Sequence, residues 1–148
     1  IRSSPKRGFC DPSVAVAVMG LTPESLKTQL KTFGFIFEQM CIRDLKAYSY
    51  GFFSSVGYYR DRYGLEADVV LHLGDGRYAL IECKLGSKEI EDGANHLIQL
   101  HKLIVEHNKT EEQMPIREPD LKIVLTGGQY GYTRNDGVHV IPLACLRD

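Results

Sequence analysis

No run of apolar residues in this chain approaches the ~20 that a membrane-spanning helix needs. The opening IRSSPKRG is polar, so no basic-then-apolar leader is read there. None of the four cysteines (Cys10, Cys41, Cys83, Cys145) forms a CxxC pair, and no Cys/His group has zinc spacing. They read as reduced thiols buried in a cytosolic protein. An excess of one charge sign is also missing. The formal net charge is -1, which gives no global pull toward nucleic acid, so phosphate binding would need a local patch. No GxxxxGK[ST] loop occurs. LTGGQYG lacks the Lys-Ser/Thr helix start, so it reads as a loop and no ATP site is expected in this chain. Of the five histidines, only His96 and His101 come near a ligand spacing, and five apart is poorly placed on a helix. All five read as structural or surface residues.

What is present suits one folded domain. The 148 residues are 43% hydrophobic and 25% charged, the ordinary balance of a soluble globular protein. A single domain over 1–148 is expected, with 1–30 an extension packed on the core. A start at Ile1 rather than Met fits a piece of a longer protein. No internal repeat or low-complexity tract interrupts the chain.

DPSVAVAVMG reads as a short helix, and LTPESLKTQL carries a second start signal. FGFIFEQMCIRDLKAYSY is the main amphipathic helix, with Phe37, Met40, Cys41, Leu45 and Tyr48 at helical spacing. SVGYYRDR is a strand candidate. EADVVLHL and RYALIECKL are strands joined by GDG, a hairpin signal. A second helix starts at Ser87 and carries Ala94, Leu97, Ile98, His101 and Ile104 on one face. NKTEEQMPIREPD is a polar loop. LKIVLTGG and GVHVIPL are the last strands. The core order is thus α-β-β-β-α-β-β.

IECKLG is the unusual stretch. Glu82 and Lys84 sit two apart, on one face of a strand that otherwise reads as buried. With a three-residue turn centred on Asp75, Asp68 falls opposite Glu82 and Glu66 opposite Lys84. Like charges so placed repel, and a hard divalent cation between the two acids would relieve them. Ala67, Val69, Leu71, Ala79, Ile81 and Cys83 would share the apolar face. Glu38 borders the apolar stripe of the first long helix; alone it reads as an edge residue. Alone, Glu82 and Lys84 read as a structural ion pair.

Together, Glu38, Asp68, the Glu82-x-Lys84 pair and Gln99 on the following helix resemble the PD-(D/E)XK nuclease-like superfamily. More closely, KRGFCDPSVA, FGFIFEQMCIRDL, YYRDRYGLEADVVL, IECKLGSKEIEDGANHLIQL and DGVHVIPL resemble an uncharacterised domain at the C-terminus of bacterial and archaeal AAA+ ATPases. The resemblance implies an α/β fold with a central mixed sheet, in a cytoplasmic protein whose ATPase domain lies upstream. It implies Mg²⁺ or Mn²⁺ on Asp68 and Glu82 with Glu38, Lys84 acting on the attacking water, and Gln99 positioning. DNA is the substrate expected ahead of RNA, with Arg60 and Arg62 contacting phosphates and Tyr58, Tyr59 and Tyr63 available for stacking. The competing expectation is a catalytically silent module that binds nucleic acid or a partner for the ATPase.

Overall fold

The computed structural model describes residues 7–110 and 114–146. The first six residues of the expected extension, and three of the polar loop, lie outside it. Two short helices come first, α1 (Pro12–Val18) and α2 (Pro23–Thr28). Each has proline in its first turn and a side-chain cap. Asp11 accepts from the Ser13 amide, and Thr22 and Ser25 cap each other reciprocally. Both pack on α3 (Leu30–Ser49).

The strands are β1 (Ser55–Arg60), β2 (Glu66–His72), β3 (Tyr78–Lys84), β4 (Leu121–Thr126), β5 (Tyr132–Thr133) and β6 (His139–Pro142). Helix α4 (Ile90–His107) connects β3 to β4. One six-stranded mixed sheet results, in the order β1-β2-β3-β4-β6-β5. Pairing is antiparallel from β1 to β3, parallel from β3 through β4 to β6, and antiparallel between β5 and β6. Helix α3 buries Phe37, Cys41 and Leu45 against Val69, Ile81, Cys83 and Leu125 on one face. On the other face α4 buries Ala94, Leu97 and Leu100 against Leu80, Val124 and Val140. Strand β3 is covered on both sides, which is why its sequence is a nearly unbroken apolar run.

The β2–β3 register is the one expected, with Val69 opposite Ile81 and His72 opposite Tyr78. The turn is a three-residue loop closed by Gly76 at φ +86°, where a left-handed residue is needed. The end of the chain repeats this device. The Arg134 amide donates the closing bond to the Val138 carbonyl around Asn-Asp-Gly, and Gly137 has φ +79°. This hairpin contains β5, which the expected order omits, so among the described residues three strands follow α4 rather than two. Residues Ser87–Glu89 form a 3-10 turn, and α4 itself begins at Ile90 rather than Ser87.

One expectation about the sheet faces is corrected. Gly57 pairs with Val70 and Tyr59 with Ala67, so Tyr58 confronts two residues, Asp68 and Val69. This is a β-bulge in β2, and it reverses the in-out alternation. Ala67 therefore packs in the α4-side core with Leu80, not with Val69 and Leu71. Glu66 pairs with Arg60 on β1 and Lys84 with Thr126 on β4, while the β2–β3 ladder runs from Val69–Ile81 to His72–Tyr78. Two of the four cysteines, Cys10 and Cys145, are exposed rather than buried, and all four are free.

Candidate functional site

The bulge, the end of β3 and the first half of α4 meet at one end of the sheet. Asp68 is buried there, and its Oδ2 accepts a hydrogen bond from the Cys83 amide at 2.9 Å. A regular strand would aim this side chain differently; the extra residue turns it into reach of β3. A cleft of about 430 Å³ on the α3 side opens onto Asp68, lined by Gly8, Gln39, Arg43, Lys46 and Tyr58 among others.

Glu82 is fully buried, on the face of β3 covered by α4. Lys84 Nζ lies 2.7 Å from its Oε2, an ion pair whose approach direction falls outside hydrogen-bond geometry. Burial, and then the charge of Asp68, push the Glu82 carboxyl up to about 7, against the opposing pull of Lys84. Burial draws Lys84 downward, but Glu82 and Asp68 outweigh it and hold the ammonium above its usual range. Cys83, between them, points to the α3 side. Its thiol is held well above the usual range by a hydrogen bond with Cys41 and by burial, so it is not a nucleophile at neutral pH.

Helix α4 approaches this pair closely because residue 93 is glycine. A Cβ there would stand 3.1 Å from Lys84 Cε and 3.3 Å from Glu82 Cβ. His96 follows at i+3, and its Nδ1 reaches 3.7 Å from Glu82 Oε1. His96, read from the sequence as structural or surface like the other four histidines, is half-exposed and stands beside Glu82. His101, by contrast, engages Glu118 at 2.8 Å and Lys122 at 3.3 Å.

The remaining expected residues are placed as follows. Glu38 is half-buried on α3, close enough to Cys83 for its charge to bear on that thiol. Gln99 is exposed on α4. Arg60 makes an exposed 3.7 Å ion pair with Glu66, and Arg62 stacks over the Tyr63 ring at 4.8 Å. Both arginines lie at the same sheet end as Asp68. Arg43 and Lys46, in the cleft itself, were not singled out by sequence. Arg43 is partnered by Asp44 at 2.8 Å and Asp11 at 3.5 Å.

Comparison with known sequences places the chain. A family profile described as a domain of unknown function, DUF4143, matches residues 33–146. The chain belongs to the DUF4143 family. The DUF4143 match begins inside α3 and takes in every candidate residue above. No curated protein and no solved structure matches the chain.

Asp68 and Glu82 offer hard carboxylate oxygens, the donor type Mg²⁺ takes. That ion binds through one or two carboxylates and keeps several waters. Among the described residues, no group of three or more His, Cys, Asp or Glu side chains is spaced around one ion. Glu82 Oε1 is buried with no hydrogen-bond partner among the described residues, an orphaned acceptor that a cation would satisfy. The donor set fits a divalent ion whose remaining positions are filled by water, a backbone carbonyl or a phosphate. Among the described residues, no helix is long and apolar enough to cross a membrane.

Proposed function

We propose that this domain is a PD-(D/E)XK-type nuclease module that hydrolyses DNA phosphodiester bonds with Mg²⁺ or Mn²⁺, ahead of RNA. It would serve an AAA+ ATPase domain upstream in the same cytoplasmic protein. The observation that carries the reading is Glu82, a fully buried carboxylate beside a second buried carboxylate, Asp68, with the Lys84 ammonium held on it. A fold gains nothing in stability from such an arrangement, whereas phosphate chemistry needs it.

Asp68 and Glu82 would hold the ion, with Glu38 behind them. When bound, the ion polarises the phosphate and acidifies a coordinated water. Lys84 orients that water and stabilises the charge developing on phosphorus-bound oxygen. Lys46 and Arg43 line the cleft beside Asp68 and suit the flanking backbone phosphates, with Arg60 and Arg62 farther along the same edge. Gln99 is left with a positioning role at most.

The second reading is a silent module that binds nucleic acid or a partner for the ATPase. It is favoured by the 2.7 Å Lys84–Glu82 pair, which already neutralises one acid without any ion. Incubating labelled duplex and plasmid DNA with the domain and Mg²⁺ or Mn²⁺ separates the two. We expect metal-dependent cleavage that falls about 10²-fold or more in Lys84→Ala and Asp68→Asn. Cleavage by neither ion, with DNA affinity dropping in Arg60→Ala or Arg62→Ala, would replace catalysis by binding.

A further inference from the structure

We propose that Glu82 Oε1 and His96 Nδ1 are two ligands of one first-row transition dication, and that the imidazole selects this class over Mg²⁺. The inference rests on the reading of Glu82 as a metal ligand and adds to it the ion class and a second donor. Both atoms are buried, and neither has a hydrogen-bond partner among the described residues. Left so, each carries a desolvation cost with no compensation. They face each other at 3.7 Å, too far for a hydrogen bond. Two donors each about 2.0–2.2 Å from a shared ion stand roughly 3–4 Å apart, so the gap has the dimensions of a bridging cation.

The surroundings agree. Glu82 feels the charges of Asp68 and Glu66 as well as Lys84, so more negative than positive charge bears on the gap. Lys84 occupies Oε2 and leaves Oε1 to face α4. The His96 side chain is 39% exposed, so the donor pair lies close to solvent although both donor atoms are covered. Gly93 lets α4 approach Glu82 and Lys84 closely, which brings His96, one turn on, up to Glu82. Mg²⁺ takes oxygen donors and binds imidazole poorly, whereas Co²⁺, Ni²⁺ and Zn²⁺ take imidazole nitrogen readily, with Mn²⁺ between.

The test uses the whole chain without nucleic acid. Co²⁺ is titrated with visible absorption as the readout, and Mn²⁺ and Mg²⁺ are titrated by calorimetry, into wild type and His96→Ala. We expect ligand-field bands with Co²⁺ and binding of Mn²⁺ about tenfold or more tighter than Mg²⁺. His96→Ala should lose that preference while keeping Mg²⁺ affinity. Equal Mg²⁺ and Mn²⁺ affinities in wild type, untouched by His96→Ala, would overturn the inference and leave the Asp68–Glu82 metal reading standing. No binding of any ion would remove both. Should His96→Ala fail to fold, the ring-sized His96→Phe takes its place in the same titrations, and a Mn²⁺ preference that survives there overturns the inference.

Discussion

Arg134 and Lys84 each anchor a charge cluster against α4, and the two clusters are built on opposite terms. The Arg134 guanidinium donates to both oxygens of Glu91, in the first turn of α4, and to Asp136 in the β5–β6 turn. Its acids stand at the surface, and water completes their solvation. Lys84 meets one oxygen of a carboxylate with no exposed surface, and the His96 ring nitrogen stands opposite the other oxygen, at 3.7 Å. The first cluster ties a hairpin to a helix. The second costs stability wherever Glu82 is ionised.

Breaking the buried pair from the cationic side should have the largest effect. Lys84→Met strands the Glu82 charge, with an expected loss of about 3–5 kcal/mol at pH 8 by urea unfolding. Glu82→Gln in the same chain should recover most of it.

The next effect is on pH. The Glu82 carboxyl is raised from 4.5 to about 7 in the fold, so the metal-free native state keeps a proton that the unfolded chain releases. Stability should therefore fall as pH rises from 4.5, with the loss complete above about 7 and near 3 kcal/mol in total. Glu82→Gln should flatten that slope. An unchanged slope would mean that Glu82 ionises freely, and the contrast between the clusters would collapse.

Gly93→Ala sharpens the comparison at the helix. Its methyl meets Glu82 Cβ and the Lys84 stem, for an expected cost of about 1–3 kcal/mol. Arg134→Ala should do least. A fall in Tm of roughly 2 °C that shrinks at high salt is expected for a pair with exposed acids.

The sequence makes some of this legible and hides the rest, for physical reasons. The GDG turn sets the β2–β3 register, because a left-handed Gly76 after Asp75 fixes the loop length and the pairing follows from it. The same grammar stands in RNDGVH, yet β5 is only two residues long and shows no alternation to read. The bulge at Asp68 depends on the pairing of β2 with β1, and nothing in EADVVL announces a partner strand with one residue fewer. Glu82 and Lys84 could be found by spacing because they share a strand. His96 could not, since its meeting with Glu82 is made by the docking of α4. Leu100 is buried where the expected stripe favoured His101, a small rotation of α4 that the sheet imposes.

The β2–β3 turn also has a consequence in time. A hairpin with so short a loop closes in about 1–10 μs. The β3–β4 pairing waits on a long crossover and its larger loop-closure entropy. Val70 and Leu80 amides should thus gain protection before Val124 in pulsed hydrogen exchange during refolding. Asp68 and Glu82 are then brought together early, while β3 is still wet on the face that α4 will cover. The two acids meet in water, where their repulsion is small, and the full cost arrives only when α4 closes over Glu82.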